Sequence, residues 1–131
     1  MKATRVARWV VVSATMFLLG GCTATSDPPS RVAVYESVAG NAGAAAAQLF
    51  GILTVEAGCT YLQDADGTRW LPVFADSVSS ATQESGLRYG ATTFLYGEEA
   101  ELPGGETTRL DSDTIPAACD EEAPIWRVAQ P

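Results

Sequence analysis

Residues 59–74, CTYLQDADGTRWLPVF, constrain this chain more than any other stretch. Two runs rich in apolar and strand-forming residues flank DADGT. Asp66-Gly67 is a strong turn signal, because glycine tolerates positive φ and aspartate bonds the turn backbone. The spacing predicts a hairpin that pairs Cys59–Gln63 with Arg69–Phe74. Pro72 has no N–H to donate to a ladder, so its strand is expected at an edge or with a bulge.

The neighbouring runs are also short and β-like. LFGILTVEAG, from Leu49, has apolar residues on both faces, and Ile52, Thr54 and Val55 favour strand. Gly58 then turns the chain. Thr92–Tyr96 and Ile125–Val128 read as strands, with EAELPGG between them. Gly90, Gly97 and Gly104-Gly105 punctuate these runs. Upstream, Val32 and Val34 alternate before an Ala/Gly-rich stretch. That stretch reads either as a linker or as a helical turn starting at Ala44, after a break at Gly43. The fold class is therefore mainly β, a small barrel or sandwich of five to six short strands. A closed barrel would leave no exposed edge. The order of short strands resembles small five-stranded oligonucleotide-binding-type barrels. The pattern GC-x-YL…PVF…C is also similar to that of small secreted bacterial domains. Neither likeness implies an activity.

The first thirty residues have a different character. Lys2, Arg5 and Arg8 precede WVVVSATMFLL, residues 9–19, which is apolar apart from Ser13 and Thr15. A helix of that length reaches only about 16 Å, roughly half a bilayer core. It suits the apolar region of a signal peptide behind a basic leader. These residues alone also fit an ordinary cleaved signal or an uncleaved anchor. The run ends in Leu19-Gly20-Gly21-Cys22, which resembles the lipobox of bacterial lipoproteins at all four positions. The resemblance implies cleavage between Gly21 and Cys22, with a lipid on the Cys22 thiol. Acyl chains supply about 0.8 kcal/mol per buried CH₂, and two or three of them make a stable anchor. The implied location is extracytoplasmic, with the outer membrane favoured in a Gram-negative cell because Thr23, not Asp, follows the cysteine. TATSDPPS, residues 23–30, fits a tether. The expected organisation is a signal peptide over 1–21, a tether and Ala/Gly-rich lead-in over 22–47, and a β domain over 48–131.

With Cys22 taken by lipid, Cys59 and Cys119 remain. In an oxidising compartment they suggest one disulfide. The rivals are two free thiols or a metal site, and two cysteines without histidine make a poor zinc site.

Charge and residue types narrow the function. Three of the eight basic residues precede residue 22, so the remainder carries five against sixteen acids, a formal charge of −11. Phosphate recognition relies on Lys and Arg, so nucleic acid is not expected as a partner. The chain has no histidine, and its only lysine is Lys2. This removes Ser–His, Cys–His and Ser–Lys nucleophiles from an exported form. Carboxylate chemistry is what remains. Asp64 and Asp66 resemble the opening of a calcium loop, but Thr68, Trp70 and Ala75 stand where later ligands are needed. A solvated hairpin turn explains them more simply. Asp111–Asp113 and Asp120–Glu122 read as solvated loop charges. Tyr61, Trp70, Phe74, Tyr89, Phe94, Tyr96 and Trp126 are expected mostly in the core.

The sequence reading is thus a lipid-anchored, non-enzymatic module of the cell envelope, with no cofactor and an envelope protein or cell-wall component as partner. The rival is a small-molecule or calcium-binding domain, or a hydrolase using surface carboxylates.

Overall fold

A computed structural model describes residues 29–38, 47–81 and 85–131. The expected signal peptide, the Gly21–Cys22 junction, residues 23–28 of the tether and the turn at Ala44 lie outside the described residues. The strands are β1 (Ala33–Tyr35), β2 (Ala47–Glu56), β3 (Cys59–Gln63), β4 (Arg69–Ala75), β5 (Ser79–Ser80), β6 (Gly86–Tyr89), β7 (Thr92–Leu95), β8 (Glu99–Thr107) and β9 (Ile125–Val128).

Five strands close a barrel in the order β2-β3-β4-β9-β8 and back to β2. Every contact in it is antiparallel except that between β4 and β9. The first barrel strand thus pairs with the fourth, and the third runs parallel to the fifth. This is the connectivity of an oligonucleotide-binding-type barrel. The three-stranded sheet β5-β6-β7 is inserted between β4 and β8.

Local signals account for the hairpins. β2 turns into β3 through Ala57-Gly58, between the paired residues Glu56 and Cys59. β3 and β4 form the expected hairpin, and Gly67 takes φ +84° in its loop. β8 leaves β2 for β9 at Gly104, which pairs with Ala47 on one side and Val128 on the other. A Cβ on Gly104 would lie 2.0 Å from the Arg127 carbonyl oxygen, so the closing approach requires glycine.

Two expectations need correction. Residues 33–35, within the expected lead-in, form β1, which runs parallel to β4. Val32 and Ala33 are buried in the core, so the alternating valines outweigh the Ala/Gly-rich composition that follows. Pro72 is not on an edge, because β4 has neighbours on both sides. It sits where the ladder changes partner. β3 pairs with Arg69 and Trp70, and β1 pairs with Val73 to Ala75. The Asp76 N–H donates to the Tyr35 carbonyl, and two such steps back the Arg31 carbonyl faces Pro72. Thr60 N–H donates to that carbonyl instead, at 2.8 Å. The missing proline donor is therefore replaced by β3.

Strand alternation separates two cores. Leu49, Leu53, Leu62, Phe74, Leu102, Trp126 and Val128 point inward and fill the barrel. Trp70 and Trp126 meet edge to face at 5.8 Å. The inserted sheet contributes Leu87 and Tyr89 to this core, and Tyr89 meets Phe74 edge to face at 5.2 Å. The Tyr89 hydroxyl donates to the Ala129 carbonyl at 2.8 Å, and burial raises its pKa. A second core lies outside β3, β4 and β9, built from Cys59, Tyr61, Leu71, Val73, Ile125 and Cys119. Each fully buried leucine or phenylalanine contributes about 2 kcal/mol.

Candidate functional site

The two outer faces of the barrel differ. In barrels of this connectivity, ligands usually lie on the face of the second and third strands, between the loops that follow the first and fourth. Here that face, β3 and β4, is covered by residues 108–124, the segment joining β8 to β9. The Cys59–Cys119 disulfide fixes the cover to the first residue of β3, with Cα atoms 5.1 Å apart. Asp120 N–H donates to the Tyr61 hydroxyl at 2.7 Å. Arg69 lies over the Tyr61 ring and pairs with both Glu56 and Asp120. Val34 and Thr114 exchange backbone hydrogen bonds of 2.9 and 2.8 Å. Arg127 lies over Tyr35 and reaches both Asp113 oxygens, at 2.7 and 3.0 Å. The Asp113 side chain is 0% exposed, so it is a buried partner and not the solvated loop charge expected. Its other contact, the Leu110 N–H, caps the same turn.

Asp64 organises the β3–β4 loop. One carboxylate oxygen accepts from the Asp66 and Thr68 N–H groups, and the other accepts from Trp70 Nε1 at 2.9 Å. The Trp70 bond, with those backbone bonds, holds its pKa below the usual carboxylate range. Asp66 is exposed beside it. Among the described residues, no group of three or more cysteines, aspartates and glutamates is placed to hold a metal.

The opposite face, β2 with β8, is open. A cleft of about 530 Å³ lies between β7 and β8. Thr92, Thr93 and Phe94 form one wall and Glu99, Ala100 and Glu101 the other, and Ala129 to Pro131 also line it. A smaller recess beside it shares Glu99, Ala100 and Glu101 and is completed by Phe50 and Gly51. Phe50 is 60% exposed and stands directly across from Glu101 in the β2–β8 ladder. Glu99 and Glu101 occupy alternate positions and project from the same side of β8.

The cleft has a backbone character as well. β7 pairs only with β6 among the described residues. β8 pairs with β2 along Glu99 to Gly104, and with β9 only from Gly104 onwards. Consecutive residues of a strand aim their backbone groups at opposite edges. Glu98 accepts from Leu53 of β2, whereas Pro103 accepts from Ala129 on the other side. Glu99 and Glu101 share the Pro103 side, and β9 does not reach them. On β7, the Tyr96 N–H donates to Ser85 on the β6 side, so Thr93 points away from β6. Among the described residues no ladder joins β7 to β8 across the cleft, and Ala129 to Pro131 continue from β9 along its β8 side.

Compared with known protein families, with curated proteins and with solved structures, this chain matches none.

The aromatic residues expected in the core are there. Tyr61, Phe74, Tyr89 and Trp126 are buried, and Trp70, Phe94 and Tyr96 pack against the core. Phe50, Glu99 and Glu101 were not singled out by sequence. The alternation in EAEL already places both glutamates on one face. In LFGIL the apolar residues are continuous, so nothing local distinguishes Phe50 from the buried Leu49.

Proposed function

We propose that this chain is a lipid-anchored lipoprotein of the bacterial cell envelope, and that its barrel is a non-enzymatic binding module. The observation that carries the reading is the pairing of Cys59 with Cys119. It leaves Cys22, in Leu19-Gly20-Gly21-Cys22, as the one cysteine outside the disulfide. A disulfide also suits an extracytoplasmic compartment. The filled barrel supports contact with a partner on the outer surface. The covered β3–β4 face and the acidic charge support a partner other than nucleic acid. Glu99 and Glu101 project side by side from one strand, whereas glycoside hydrolysis needs carboxylates on either side of the bond cleaved. That arrangement favours binding over hydrolysis.

The test is the intact mass of the protein purified from its native membranes and alkylated without reduction. The expected mass is that of residues 22–131 plus lipid, with no alkyl group added. A lipid-free mass would overturn the anchor. A Cys22→Ser chain should leave the membrane fraction.

A further inference from the structure

We infer that the barrel mouth where β2 ends and β3 begins faces the lipid bilayer, held there by a short tether. The inference rests on the lipid-anchor reading and adds which surface meets the membrane and which faces a partner.

The chain enters the fold at Pro29. The Val32 N–H donates to the Pro29 carbonyl at 3.1 Å, and the Arg31 carbonyl accepts from Thr60, the second residue of β3. Val32 and Ala33 are buried, and β1 is paired to β4. The entry is thus fixed to the barrel and lends no length to a tether. It lies at one mouth. Thr60 alternates with the inward Leu62, and its hydroxyl meets the Tyr96 hydroxyl at 3.2 Å. Pro29, Ser30 and Arg31 line a small cavity with Tyr96 and with Ser80 and Gly86 of the inserted sheet. The other mouth, where β3 ends and β4 begins, carries the loop over 64–68 and both ends of the 108–124 segment. β4 spans seven residues between the mouths, about 20 Å.

Tether length then decides the orientation. Pro29 is seven residues beyond Cys22. Such a length spans at most about 25 Å when fully extended, and averages about 15 Å as a flexible chain. The average is less than the height of the barrel. The far mouth reaches the bilayer only if the tether is drawn out along the barrel wall, at a cost in chain entropy. A lead-in running from Cys22 to residue 47 would average about 28 Å and leave the domain free to turn. The burial of Val32 and Ala33 removes that slack. The formal charge of −11 over residues 22–131 gives the domain no attraction of its own to an anionic surface, so the tether sets the orientation. The β3–β4 loop and the two ends of the 108–124 segment then point away from the bilayer, where a partner meets them.

The experiment uses the protein purified from its native membranes, placed in lipid nanodiscs whose headgroups carry gadolinium. Backbone amide signals are followed by NMR, and the intact mass of the same preparation records the lipid. The expected result is loss of the Ser30, Gly58 and Ser80 signals, with Asp66 and Gly67 retained. Inserting a flexible glycine–serine segment of about twenty residues after Ser26 raises the average reach to about 29 Å and should remove the difference. Equal loss at the two mouths, or greater loss at Asp66 and Gly67, in a lipidated protein would overturn the orientation and leave the anchor standing. A difference that survives the insertion would overturn the tether as its cause. A lipid-free mass would refute the anchor, and the orientation with it.

Discussion

The β3–β4–β9 face and the β2–β8 face belong to the same barrel but are finished in opposite ways. The first carries a second hydrophobic core under residues 108–124, a disulfide, two arginines held by carboxylates and a bond from the Asp120 N–H to the Tyr61 hydroxyl. The second carries an exposed phenylalanine, two glutamates on one side of β8 and an open cleft between β7 and β8. The comparison teaches that the fold's usual ligand surface has been given over to stability. The β2–β8 face carries no such cover among the described residues. Connectivity alone would have pointed to the covered face, because a fold does not specify a site.

The largest way to break this contrast is to open the covered face. Replacing Cys59 and Cys119 by serine should cost about 4 kcal/mol, given a closed loop of 60 residues. Urea unfolding measures it. An unchanged midpoint would mean that the cover is held by its side-chain contacts alone. Arg127→Met comes next. It leaves the Asp113 carboxylate buried without its cation and should cost about 3 kcal/mol. Adding Asp113→Leu should recover much of that loss, because the stranded charge is then gone. A double variant as unstable as the single one would locate the loss in the Arg127 contact with Tyr35. The smallest effect is expected on the open face. Phe50→Ser should change stability by no more than about 0.5 kcal/mol, since the side chain is 60% exposed. A much larger loss would show that Phe50 has a structural role and would blur the distinction between the faces.

The Asp64 carboxylate illustrates how the fold gives a local motif a partner that the motif itself does not name. DADG has the opening of a calcium loop. In the fold, both Asp64 oxygens accept hydrogen bonds from the loop and from Trp70. The Trp70 partner comes from the start of the next strand, so the bond depends on hairpin register.

Local chemistry determined much of this protein. The Asp66-Gly67 turn, the β3–β4 hairpin, the Gly58 turn and the strand at Ile125–Val128 follow from residue type and alternation within a few positions. The closing features depended on tertiary structure, because they join residues far apart in the chain. Pro72 is accepted between two neighbours only because Thr60 supplies the donor for Arg31. Asp113 is buried only because β9 brings Arg127 to it. The apolar run of β4 reads the same whether one face or both are buried, and only the segment over 108–124 decides that both are. The cleft likewise joins distant residues, from Gln48 through β7 and β8 to Ala129–Pro131. Pro103 marks locally the point where β9 stops pairing with β8, because it accepts from the Ala129 N–H and has no N–H to return.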